Sequence, residues 1–197
     1  MKKLLLTIIA AVILLIACEV QAGIVEFHSD AIIGPSDVYD EVWIYDTPPP
    51  QTKVDMFGGS VRGIWTHNSS TFNIHEGSWG SILDWGWGGI DDSSTVNIFG
   101  GSINLSSIGI GGTLNLYGGN IRGQITGFSQ SGKANIYGYG FSYDGWTLQG
   151  FLSDGSSFNF IELRDNDFAH VNLFVIPEPT TVLLLGLGSL IVIRKRK

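Results

Sequence analysis

An eight-residue pattern occurs five times in the middle of this chain, and a chain that repeats at a short period is confined to architectures in which each unit stacks on the next. Val54-Asp55-Met56-Phe57-Gly58-Gly59-Ser60-Val61 returns as Phe72-Asn73-Ile74-His75-Glu76-Gly77-Ser78-Trp79, as Val96-Asn97-Ile98-Phe99-Gly100-Gly101-Ser102-Ile103 and as Leu114-Asn115-Leu116-Tyr117-Gly118-Gly119-Asn120-Ile121. A weaker copy is Ala134-Asn135-Ile136-Tyr137-Gly138-Tyr139-Gly140-Phe141, and the starts lie 18, 24, 18 and 20 residues apart. One strand-like alternation and one glycine turn per period of about 20 residues predict an all-β fold whose body is a β-solenoid, similar to a parallel β-helix. An antiparallel sandwich of short strands is the alternative that the repeat disfavours.

Alternation within each unit assigns the faces. The first and third residues (Val54/Met56, Phe72/Ile74, Val96/Ile98, Leu114/Leu116, Ala134/Ile136) are apolar and are expected to point inward. The second and fourth then point out. With coils about 4.7 to 4.8 Å apart, the second positions form a ladder of Asp55, Asn73, Asn97, Asn115 and Asn135. The fourth positions form a mostly aromatic ladder of Phe57, His75, Phe99, Tyr117 and Tyr137. Thr71, Thr95 and Thr113 precede three of the units and support the same register. Upstream, Asp37 to Glu41 is acidic and turn-like, and Val42-Trp43-Ile44-Tyr45-Asp46 alternates as a first coil before the extended Pro48-Pro49-Pro50. Downstream, Trp146 to Gly155 and Phe158 to Leu163 alternate without the glycine pair, as capping coils do, and Val171 to Pro179 reads as a connection out of the cap.

The flanks have a different character. Met1-Lys2-Lys3 and the apolar run Leu4 to Ala17 have the form of an export signal over residues 1–22, with Val20-Gln21-Ala22 placing cleavage before Gly23. Leu15-Ile16-Ala17-Cys18 is a competing lipobox that would put a lipid on Cys18, the single cysteine. If cleavage falls before Gly23, the exported body has no cysteine for a disulfide, a nucleophile or a metal. The body, residues 23–175, carries five Lys and Arg against sixteen Asp and Glu, a net charge of −11. Nucleic acid is therefore excluded as a natural partner, because binding it needs cations to neutralise phosphate. Divalent cations and neutral polysaccharide stay open.

At the other flank, Ile176-Pro177-Glu178-Pro179 is followed by an apolar run from Thr180 to Ile193 and by Arg194-Lys195-Arg196-Lys197. The prolines hold the chain extended and define where a helix can begin. That helix reaches roughly 21 Å, short of the ~30 Å hydrocarbon core. The terminal cations argue for a membrane segment all the same: they would be stranded in a buried core but snorkel to anionic headgroups, with the body on the opposite side. Residues 176–197 resemble the PEP-CTERM sorting signal of bacterial exosortase substrates, in the order Pro-Glu-Pro, short apolar helix, basic tail. The resemblance implies that Pro177, Glu178 and Pro179 are read by an exosortase, a membrane cysteine transpeptidase. It also implies an inner-membrane-anchored precursor whose body passes to the cell surface or extracellular matrix.

No catalytic constellation emerges. Asp91-Asp92 lies in the longest connection between units and reads as a solvated turn rather than the carboxylate pair of a polysaccharide-degrading β-helix enzyme. His67, His75 and His170 are not spaced as metal ligands, and no cofactor motif is present. The expectation is an exported structural protein and not an enzyme. The alternative is a carbohydrate-binding or matrix adhesin module acting on exopolysaccharide, with Trp79, Trp85, Trp87, Phe99, Tyr117 and Tyr137 as its candidate ligand-facing aromatics.

Overall fold

A computed structural model of the chain describes residues 23–46, 51–80, 86–91, 93–125, 128–129, 131–161, 168–178 and 181. Its regular structure is all β: β1 (Ile24–Phe27), β2 (Ala31–Ile33), β3 (Val38–Ile44), β4 (Lys53–Thr66), β5 (Thr71–Trp79), β6 (Gly86–Ile90) and β7 (Thr95–Ile98). There follow β8 (Ser102–Ile110), β9 (Thr113–Leu116), β10 (Asn120–Gly123), β11 (Lys133–Tyr143), β12 (Thr147–Leu152), β13 (Ser157–Ile161) and β14 (Val171–Val175). Among the described residues no helix is long and apolar enough to cross a membrane.

Parallel pairing arranges these strands in three stacks. On the first face Ala31, Val54, Phe72, Val96, Leu114, Ala134 and Val171 lie in one line, running from β2 to β14. On the second, Val61, Trp79, Ile103, Ile121 and Phe158 are in line. On the third the line is Ile44, Thr66, Ile90 and Ile110, and it ends in a bridge to Phe128. The result is solenoid-like stacking in which each of the first four repeats supplies a segment to each face, rather than the single strand per unit that alternation alone revealed.

All ten inward positions of the repeat, from Val54 to Ile136, are fully buried. The weak fifth copy is therefore in full register, with Ala134 over Leu114 and Ile136 over Leu116. The conserved shape of the turn has a steric cause. Gly101 sits at φ 90°, and a Cβ there would lie 2.7 Å from the Gly77 carbonyl oxygen of the coil before it. Both the dihedral and the contact exclude a side chain.

Two stretches differ from the sequence reading. Val38 to Ile44 is a single strand whose first half joins the second face and whose second half joins the third, so Asp40 and Glu41 are strand residues, and Val42 to Ile44 is not a copy of the repeat strand. Val171 to Val175 is not a connection. It is β14, paired residue for residue with Ala134 to Gly138. The cap expected downstream does form: β11 pairs antiparallel with β12, β12 antiparallel with β13, and β13 returns beneath β10. The hairpin thus interrupts the ascending chain before β14 resumes the first face.

Excising Thr95 to Gly112 removes one segment from each face and joins Ser94 to Thr113, whose N–H already donates to the Ser94 carbonyl at 2.9 Å. The shortened chain is expected to keep a β-rich circular dichroism spectrum, whereas a random-coil spectrum would refute stacked coils. Gly101→Ala is expected to cost about 1–3 kcal/mol in chemical denaturation, because it forces a side chain into a left-handed, obstructed position.

Candidate functional site

The outward second positions are joined by side-chain amides. Asn73 donates to Asp55 at 2.8 Å, Asn97 to Asn73 at 2.8 Å, Asn115 to Asn97 at 2.8 Å and Asn135 to Asn115 at 2.8 Å. Asn172 of β14 adds a further rung, donating to Asn135 at 2.9 Å. An amide carries both a donor and an acceptor, so it can continue such a chain indefinitely. A carboxylate can only accept, and it stands at the end of the ladder, over Ile32, which offers no side-chain acceptor. Burial alone would raise the Asp55 pKa, but hydrogen bonds from Lys53, Asn73 and His75 together with the Lys53 charge outweigh it and hold the carboxyl below its usual range.

Beside the amides runs the ring column. Phe57 stacks on His75 at 4.5 Å, His75 on Phe99 at 5.1 Å, Phe99 on Tyr117 at 5.0 Å and Tyr117 on Tyr137 at 4.4 Å. Phe174 extends it at 4.6 Å from Tyr137. The planes stay within 15° of parallel, so each interior ring has both faces covered by its neighbours. Phe99, Tyr117 and Tyr137 therefore present edges outward, which suits stabilisation of adjacent coils by about 0.2–1 kcal/mol per pair. They do not form a platform for a flat ligand.

The tryptophans do not form one cluster. Trp79 is fully buried in the second-face core, which corrects its reading as a ligand-facing ring. Its space comes from Gly88, where a Cβ would meet the Trp79 ring at 3.1 Å and the Ile64 carbonyl oxygen at 2.1 Å. Trp85 lies outside the described residues, and Trp87 is placed on β6 by its backbone pairing with Gly63 and Ser107. A second group of rings, which the spacing did not reveal, sits on the third face. Tyr45 stacks between His28 at 5.1 Å and His67 at 4.8 Å, and Trp43 packs on Trp65 at 5.6 Å. Trp43 Nε1 donates to Glu41 at 2.8 Å. Asp91 faces His67 Nδ1 at 3.3 Å, and Asp92 lies outside the described residues. Among the described residues no group of three or more His, Cys, Asp or Glu is placed to hold a metal ion.

The first face ends at the other candidate site. The Ile176 N–H donates to the Gly138 carbonyl at 2.8 Å, one residue beyond β14, so β-pairing continues to the threshold of the Pro-Glu-Pro sequence. Pro177 and Glu178 are exposed, and Pro179 lies outside the described residues, as does the apolar stretch after Thr181. Residues 175–197 match the family described as the PEP-CTERM protein-sorting motif. The chain carries a PEP-CTERM sorting motif. That motif implies recognition by an exosortase and a membrane-anchored precursor that is then exported. No curated protein and no solved structure matches the chain.

The polarity of the ladder gives two expectations. Asn97→Asp removes the donor to Asn73 and is expected to cost about 1–3 kcal/mol in urea denaturation, because the Asn73 oxygen loses its partner. For the depressed Asp55, stability is fully present above the unfolded carboxyl value of about 3.9 and is lost as pH falls through the folded value. The urea midpoint should therefore fall on acidification from pH 6 to pH 3, and less steeply in Asp55→Asn than in the wild type.

Proposed function

We propose that this protein is an exported, surface-sorted scaffold: an open β-solenoid body released by a signal peptidase at its amino end and handled by an exosortase at its carboxyl end. The observation that carries this reading is the direct junction between fold and sorting motif, with the matched segment beginning on Val175, the last residue of β14. The amino end agrees with it. The Gly23 carbonyl accepts hydrogen bonds from the Asp40 and Glu41 N–H groups at 3.1 and 3.4 Å, so the residue that cleavage is expected to leave at the amino terminus is itself tied into the fold. The body between these ends has the attributes of a spacer or matrix element: stacked side chains that consume their own hydrogen bonds and ring faces, and a net charge of −11 that resists self-association. Catalysis has no part in this reading.

In cells expressing the full-length chain, Glu178→Ala is expected to leave an uncleaved precursor in the inner membrane, detected by fractionation and immunoblotting. Release at the wild-type level would overturn the sorting assignment. Mass spectrometry of the released wild-type protein is expected to find Gly23 at its amino terminus. Lipidated Cys18 would overturn the cleavage site.

A further inference from the structure

The antiparallel cap does more than close the stack. Where β10, β13, β12 and the second half of β11 meet, their outer surface bounds a cleft of about 440 Å³ lined by Asn120, Arg122, Ser142, Gln149, Phe151 and Asn159. The register places Arg122 beside Asn159, Asn159 beside Gln149 and Gln149 beside Ser142, so one polar row crosses four strands. At a strand spacing of about 4.8 Å that row is roughly 14 Å long. Phe151 is 43% exposed at one side and stacks on Tyr139 at 5.3 Å, with planes 15° apart.

We propose that this cleft binds an acidic oligosaccharide, with Arg122 pairing with a sugar carboxylate, Asn159 and Gln149 reading hydroxyl groups, and Phe151 packing against a sugar face. Three features select that chemistry. Primary amides and a serine hydroxyl offer donors and acceptors together, matching the mixed donor and acceptor character of sugar hydroxyls. Arg122 is exposed and has no ion pair among the described residues, whereas Lys53 and Arg62 are paired with Asp55 and Asp40. In a body this acidic, a guanidinium in a cleft with no ion-pair partner among the described residues is a local site for a planar carboxylate, which it can hold through two parallel hydrogen bonds. Finally, β10, β13 and β12 are hydrogen-bonded on both sides, so no strand edge is free for a peptide to extend.

The cleft is also held in shape. At the turn between β12 and β13, Asp154 accepts the Gly119 N–H at 2.8 Å and the Ser156 N–H at 2.8 Å, and Ser153 Oγ donates to the Tyr117 carbonyl at 2.5 Å. Burial would raise the Asp154 pKa, but the bonds from Ser156 and Gly119 overcome it and hold the carboxyl below its usual range. The hairpin that forms one wall is thereby pinned to the turns of the coil above, so ligand binding need not order it.

This inference is independent of sorting and is tested on the purified full-length chain in detergent micelles. Calorimetric titration with oligogalacturonate, a polyuronate fragment, is expected to show binding. A neutral cello-oligosaccharide of the same length should bind at least tenfold more weakly. Arg122→Gln should weaken oligogalacturonate at least tenfold while leaving the neutral sugar unchanged, and Gln149→Ala should weaken both. The melting temperature should stay at the wild-type value in both variants, since the two side chains are exposed. Absence of oligogalacturonate binding, equal affinity for the two sugars, or an unchanged affinity in Arg122→Gln would each overturn the proposal. Displacement by an equal concentration of sodium sulfate at constant ionic strength would also overturn it, by showing a general anion contact in place of a sugar site.

Discussion

Vertical alignment is the constraint on which the rest of this structure depends. In a parallel stack each side chain lies over its counterpart one coil below, so a residue type is acceptable only if it tolerates a close copy of itself or a matching partner. Asparagine meets the requirement by donating down and accepting from above. Aromatic rings meet it by lying flat on one another, and branched aliphatics by filling a common core. Charges meet it poorly, which accounts for a body with long runs of amide, hydroxyl and glycine and few ion pairs. Asp55 is the informative exception, since it ends the ladder over Ile32, where there is no side-chain acceptor for an amide to donate to.

The same logic explains what could be read from the linear sequence. The first face was legible because its inward apolar positions, its asparagines and its rings all recur at fixed offsets, and the structure places all ten inward residues in the core. The second and third faces were not, because Gly86–Ile90 is mostly glycine and Asn120–Gly123 is only four residues long with a single inward apolar side chain, Ile121. β14 escaped notice for a different reason. It keeps the strand pattern of the repeat in Val171-Asn172-Leu173-Phe174, but it follows the previous copy by 37 residues because the hairpin of β12 and β13 is inserted between them. Trp79 was misjudged through its nearness in sequence to Trp85 and Trp87. Its place in the repeat is the stronger signal: Trp79 holds the eighth position, in line with the buried Val61, Ile103 and Ile121.

The cap shows how one insertion can serve two needs. An unfinished stack leaves a row of unpaired backbone groups that invites association with other chains. Turning the chain back as an antiparallel hairpin closes the second face, and the side chains on the hairpin's outer surface become the wall of a cleft. The repeats themselves leave little room for recognition, because their ladders already use the donors, acceptors and ring faces that a ligand would need. Donors, acceptors and a ring face still open to a ligand are thereby concentrated where the repeat is broken.

The junction between β14 and the sorting motif also has a mechanical consequence. Because the Ile176 N–H is bonded to the Gly138 carbonyl, a load applied at Ile176 enters directly at the end of a strand. Pulling along the strand axis shears the hydrogen bonds between β14 and β11 together, a geometry that resists force far better than peeling them one at a time. The amide rung at Asn172 and the ring contact at Phe174 lie on this same strand, so they share the strain. Drag on an anchored body would be met first by its last coil, and the coils beyond would feel it only after that strand had given way.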